Sequence, residues 1–181
     1  GMPTWRPDGS RIAFLAPKTD EIYTVSPDGS NLKRVTDYSQ DRFALNFGTA
    51  LTWKPNGSRI AFSFREKIYT IKPNGSRLEK IGVGKPINHF DWRPDGLRII
   101  FSDNIRGNIY TIKPDGSDRK QVTEGPAWSH QVAWKPDGSR IAFVATNGSP
   151  YRSSGIYTTK PDGSGSALRT VVRKDSINIA A

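Results

Sequence analysis

One ten-residue stretch occurs four times in this chain: WRPDGSRIAF at 5–14, WKPNGSRIAF at 53–62, WRPDGLRIIF at 92–101 and WKPDGSRIAF at 134–143. Each copy is followed by a second recurring unit: IYTVSPDGS at 22–30, IYTIKPNGS at 68–76, IYTIKPDGS at 109–117 and IYTTKPDGS at 156–164. Such self-similarity means one supersecondary unit that buries its apolar face only against its neighbours, so no other feature constrains the fold as strongly. The tryptophans that open the repeats (Trp5, Trp53, Trp92, Trp134) lie 48, 39 and 42 residues apart. That length suits a unit of four short strands.

Within one repeat the first strand ends at the tryptophan. Proline then fixes φ, Asp or Asn caps the turn, and Gly supplies positive φ. The second strand is RIAF or RIIF, rich in the β-branched and aromatic residues that strands favour. The third is IYT plus one residue, with Ile and Thr on one face and Tyr on the other. A second Pro-Asp/Asn-Gly turn leads to the fourth strand. The eight turns use eight of the chain's 13 prolines. Antiparallel pairing puts all eight on one edge of the sheets and the remaining loops on the opposite edge.

No helical period persists over 11 residues anywhere in the sequence. The expected fold is therefore all-β: a β-propeller with four blades per chain, each a four-stranded antiparallel sheet. The expected blades are 3–50, 51–88, 89–130 and 131–175, all in one propeller domain, with 176–181 aligning with the start of a further or swapped strand.

Cysteine is absent, which excludes disulfides, thiol catalysis and cysteine zinc sites. No apolar run reaches the roughly 20 residues of a membrane-spanning helix. A basic region followed by an apolar core is missing at the start, so no signal peptide is expected. The net charge of +10 makes nucleic acid, anionic glycans and acidic proteins partners to weigh.

The pattern W-[RK]-P-[DN]-G-S-R-I-A-F followed by I-Y-T-x-x-P-[DN]-G-S resembles the TolB-type β-propeller repeat, which is related to the propeller domains of prolyl-oligopeptidase-like and tricorn-like proteases. The resemblance covers nearly the whole chain, four times over. It implies a scaffold that binds other proteins, and a periplasmic or extracytoplasmic location if the chain is a fragment. TolB-type propellers have six to eight blades, so four blades imply either a homodimer completing an eight-bladed ring or a small ring of four.

Candidate functional residues are those that break the repeat. The variable loops carry Arg42, Phe43, Phe47, Trp128, His130 and Tyr151, and the first strand of the third repeat carries His89 and Asp91. Variable loops over a repeated frame are where recognition is expected, so these eight residues are the expected contacts for a protein or peptide. The alternative is polyanion binding on the turn edge by Arg6, Arg11, Lys54, Arg59, Arg93, Arg98, Lys135 and Arg140. The bland reading of these cations is a solvated edge neutralised by the turn aspartates. The repeated tryptophans and the tyrosines Tyr23, Tyr69, Tyr110 and Tyr157 are expected in the core.

Enzymatic activity is not expected. The sequence has two histidines, no Gly-x-Ser-x-Gly elbow and no His-Glu-x-x-His. A fragment of a propeller-bearing hydrolase or lyase would need a catalytic constellation that these residues do not form. No cofactor or metal is expected, since Asn56 and Asn74 replace the turn aspartates without charge.

Overall fold

A computed structural model of the chain describes residues 3–16, 19, 21–37, 50–64, 67–84, 87–103, 105–123, 131–145, 155–162 and 169–173. Of the loop residues named above, Arg42, Phe43, Phe47, Trp128, His130 and Tyr151 lie outside the described residues, as does the segment 176–181.

The described residues form sixteen strands and no helix. Blade 1 holds β1 (Thr4–Trp5), β2 (Ile12–Ala16), β3 (Glu21–Val25) and β4 (Lys33–Arg34). Blade 2 holds β5 (Leu51–Trp53), β6 (Ile60–Phe64), β7 (Lys67–Ile71) and β8 (Glu79–Gly82). Blade 3 holds β9 (Ile87–Trp92), β10 (Ile99–Asp103), β11 (Ile109–Ile112) and β12 (Lys120–Gln121). Blade 4 holds β13 (Val132–Trp134), β14 (Ile141–Ala145), β15 (Gly155–Thr159) and β16 (Arg169–Arg173). Each blade is one sheet with its strands paired in chain order, and every pairing is antiparallel.

The turns explain the recurring Pro-Asp/Asn-Gly-Ser. In blade 1 the Gly9 N–H donates to Arg6 O at 2.8 Å, and the Arg6 N–H donates to Arg11 O at 2.8 Å, closing the hairpin. Asp8 Oδ1 accepts the Ser10 N–H at 3.0 Å and the Ser10 hydroxyl at 2.7 Å. Asn56 makes the same pair of bonds with Ser58, at 3.1 and 2.6 Å. The side-chain oxygen is therefore what the turn needs, and its charge is secondary. In the third repeat Leu97 stands at the serine position and keeps only the backbone bond, at 2.9 Å.

Two compact units result, residues 1–84 and 85–181, each a pair of blades. In the first unit Ala13, Leu15, Ile22 and Val35 of blade 1 pack on Trp53, Ile60, Phe62 and Ile71 of blade 2. In the second, Ile100, Ile109 and Val122 of blade 3 pack on Val132, Trp134, Ile141 and Phe143 of blade 4. Alternation along each strand sends one set of side chains forward and the other back. On the backward face Phe and Tyr stack across neighbouring strands in all four blades, with centroids 5.3–6.0 Å apart (Phe14–Tyr23, Phe62–Tyr69, Phe101–Tyr110, Phe143–Tyr157).

The same seam stitches each pair. In the first, the Arg6 guanidinium lies over the Trp53 ring at 5.9 Å, Arg6 Nε donates to Gly57 O at 3.2 Å, and Trp53 Nε1 donates to Thr4 O at 3.2 Å. In the second, Arg93 lies over Trp134 at 5.6 Å. Gly57 and Gly138 are required here twice over. Their φ values are +67 and +69, and a Cβ would stand 2.7 Å from Arg6 Nε or 2.9 Å from Arg93 Nε.

One expectation for the core needs correction. Trp53, Trp92 and Trp134 are buried, but Trp5 is 57% exposed. Trp53 and Trp134 lie beneath an arginine from the blade before them. The tyrosines grade similarly: Tyr110 and Tyr157 are buried, while Tyr23 and Tyr69 are half-buried.

Candidate functional site

The described candidate contacts from the loop side, His89 and Asp91, both lie in the second unit on β9. They are two residues apart and share a face, while Phe90 and Trp92 point the other way into the core. At the position of His89 the other described blades carry Ala50 and Gln131, and at that of Asp91 they carry Thr4, Thr52 and Ala133. Among the described residues the third blade alone places two titratable groups on its first strand.

Asp91 Oδ1 accepts the Trp92 N–H at 2.8 Å, and the backbone N–H of Trp134 on β13 also donates to this carboxylate. Asp91 thus ties the first strands of blades 3 and 4 together. Burial pushes its pKa up, against the lowering effect of the two N–H donors and of His89. The Nδ1 atom of His89 is buried and has no hydrogen-bond partner. An unpaired polar atom of this kind costs about 1–3 kcal/mol, so it calls for an explanation.

His89 stands at the edge of a groove of about 290 Å³ lined by Gln131, Val132, Ala133, Phe143, Val144 and Ile156 among others. Among the described residues its lining holds no hydroxyl or thiol. It offers an apolar bed with an imidazole and a carboxamide at its margin, which suits binding rather than covalent chemistry. By sequence, His130 directly precedes Gln131 and Trp128 stands three residues before it.

The turn-edge cations are mostly engaged. Arg6 pairs with Asp8 at 2.8 Å, Arg59 with Glu79 at 2.6 Å, Arg93 with Asp95 at 3.4 Å, Arg98 with Asp118 at 2.8 Å and Lys135 with Asp137 at 2.6 Å. Arg11, Arg59 and Arg98 also reach the threonine of the third strand and the carbonyl of a residue in the left-handed region after the second turn (Asn31, Arg77, Asp118). Lys54 has a partner as well. The turn aspartates Asp8 and Asp137 are held below the usual carboxylate range, chiefly by Ser10 for the first and by Lys135 for the second. In the second unit Arg93, Arg98, Lys120, Arg140 and Lys160 nevertheless line one groove of about 570 Å³, with Asp162 as its acid.

Sequence reasoning passed over one further buried group. Asp103, wholly buried at the end of β10, accepts the N–H groups of Ile105, Arg106 and Gly107 at 3.1, 2.6 and 3.1 Å. Its signal is an Asp closing a strand four residues before a Gly of positive φ, Gly107. Among the described residues no group of three metal-ligating side chains occurs, and no helix is long and apolar enough to cross a membrane.

No family model and no curated protein matches the sequence. Solved structures do match in fold. TolB from Acinetobacter baumannii superposes with a TM-score of 0.71 at 19% identity, over 96% of this chain and 43% of its own. A putative TolB from Agrobacterium tumefaciens gives 0.73 at 20%, over 94% and 60%. Hydrazine synthase from Kuenenia stuttgartiensis gives 0.72 at 14%, over 93% and 48%, and a chain of a nidogen/laminin complex gives 0.69 at 15%, over 90% and 61%. The chain spans less than two thirds of the length of each. Four antiparallel four-stranded blades with these neighbours give the chain the TolB-type β-propeller fold.

Proposed function

We propose that this chain is a non-enzymatic propeller scaffold that binds a protein or peptide at the edge opposite the Pro-Asp/Asn-Gly turns. The observation that carries this reading is the buried, unpartnered Nδ1 of His89 at the margin of an apolar groove. A peptide laid along the groove would place an apolar side chain on Val144 and Ile156 and a backbone or hydroxyl group within reach of the imidazole. The neighbour from a nidogen/laminin complex supports a binding role for this architecture, while the hydrazine synthase neighbour shows that similar frames also occur in enzymes. The test is selection of peptides from a random display library, followed by calorimetric titration. His89→Ala is expected to weaken a selected peptide at least tenfold and Arg140→Ala/Lys160→Ala to leave it unchanged. The reverse pattern would sink the reading.

A second reading rests on the cation-lined groove on the turn edge of the second unit. Here the ligand is a sulfated or phosphorylated polymer. Retention on heparin that falls steeply with salt, and that Lys160→Ala/Arg140→Ala abolishes, is the expected signature. We also propose that two copies associate to complete an eight-bladed ring.

A further inference from the structure

A second buried polar atom stands beside the unpaired nitrogen of His89. Ser102 on β10 lies directly opposite His89 on β9, so the two side chains leave the same face of blade 3, with Cβ atoms about 5 Å apart. Ser102 is wholly buried. Its Oγ, like His89 Nδ1, has no hydrogen-bond partner among the described residues. The matching positions of the other blades avoid this arrangement. In blade 2 the corresponding serine, Ser63, accepts the Ala50 N–H on its hydroxyl at 3.1 Å. Blades 1 and 4 carry the apolar Leu15 and Val144 there. Blade 3 alone sets a serine against a histidine.

We infer that Ser102 is a positioning residue for His89: its hydroxyl donates to Nδ1, which leaves the imidazole proton on Nε2 and makes that N–H the donor offered to a ligand in the groove. This rests on the peptide-groove reading above and names the ligand chemistry at that point, a hydrogen-bond acceptor such as a backbone carbonyl. Donor accounting sets the direction. The neighbours of Ser102 on its own face, Ile100 along the strand and Ile109 opposite, are apolar and buried. Asp91 is already committed to the N–H groups of Trp92 and Trp134. The bare Nδ1 is therefore the acceptor left for the serine O–H. Were Nδ1 to carry the proton and donate to Oγ, the enclosed serine O–H would have no acceptor, which is the costlier arrangement. The bond needs a rotation of Ser102 about χ1, a torsion with three staggered wells. Of the two ring nitrogens only Nδ1 is buried without a partner, so Nε2 is the one that the half-buried ring turns toward the groove it lines.

The experiment is a long-range proton–nitrogen correlation of the imidazole rings in the nitrogen-15-labelled whole chain, under mildly alkaline conditions where free imidazole is neutral. The chain has two histidines, and His89→Gln assigns the signals. His89 is expected with a bare Nδ1 and a protonated Nε2. Ser102→Ala, which removes only the hydroxyl, is expected to give a mixture of tautomers, and Ser102→Thr, which keeps it, the wild-type tautomer. Near-ultraviolet circular dichroism checks that both variants fold. A library-selected peptide should bind Ser102→Ala about fivefold more weakly than wild-type, with Ser102→Thr restoring the affinity. A proton on Nδ1, or a tautomer that Ser102→Ala leaves unchanged, would overturn the inference and leave the groove reading standing. A Ser102→Ala chain that loses the tautomer but keeps full affinity would overturn the positioning role. If His89→Ala weakens no selected peptide, the groove reading falls and takes the ligand assignment with it, while the tautomer still decides the bond to Ser102.

Discussion

The two blade pairs of this chain share a seam and differ in what lines their first strands. In the first pair the first strands carry Thr4 and Thr52, and the tie between blades is a neutral bond from Trp53 Nε1 to Thr4 O at 3.2 Å. In the second pair the tie runs through a half-buried carboxylate, Asp91, beside a half-buried imidazole whose buried Nδ1 is unpaired. Both pairs hold together through an arginine over a tryptophan and a common apolar core. Holding blades together therefore does not require the ionisable pair. Where a repeat is kept it builds the frame, and where the frame carries an unrequired titratable group that group is free to serve recognition.

The largest expected effect would break the equivalence of the two seams. Trp53→Ala and Trp134→Ala are each expected to cost about 3–5 kcal/mol in urea unfolding, as for other buried aromatics, and the exposed Trp5→Ala about 0.5 kcal/mol in a dissociated chain. A large difference between the first two would mean that the pairs are not built alike. Next in size, Asp103→Ala leaves three N–H groups of the second unit without an acceptor and is expected to cost about 2–3 kcal/mol. Hydrogen exchange should show the loss confined to 103–109.

A smaller effect sharpens the contrast through pH. Burial raises the pKa of Asp91 in the folded chain, so the folded state holds its proton to higher pH than the unfolded state does. Stability from this group is greatest at low pH and falls as pH rises from the unfolded value of 3.8 through the raised folded value. Asp91→Asn should therefore be more stable than wild-type at neutral pH, with the gap closing in acid. Unfolding midpoints across that range check it, and a gap that widens in acid would contradict it. The smallest effect is Asp137→Asn, which the turn should tolerate because Asn56 and Asn74 make the same bonds to Ser58 and Ser76. Its melting temperature should not move at neutral pH, while its retention on heparin should rise as Lys135 loses its partner.

The strands and turns were legible because their chemistry is local. Pro, Asp or Asn, and Gly dictate a turn within four residues, and RIAF or IYT dictates a strand within five. The tryptophan seam was not legible, because which cation lies over which ring depends on how one blade meets the next. The alternation of Arg6, Lys54, Arg93 and Lys135 was its only trace. For the same reason Trp5 reads as core and is exposed, since the burial of this tryptophan depends on a neighbouring blade and not on its own repeat. His89 stood out in the sequence as a departure from the repeat, but Asp91's bond to the next blade, through Trp134, required the packed pair.

The measurement closest to the central claim is a nitrogen-15 correlation spectrum of the labelled protein titrated with a library-selected peptide. Shifts are expected at His89, Gln131, Ala133 and Val144, with the turn amides of Gly9, Gly57 and Gly138 unmoved. Shifts centred on Arg140 and Lys160 with His89 silent would contradict it and move recognition to the turn edge.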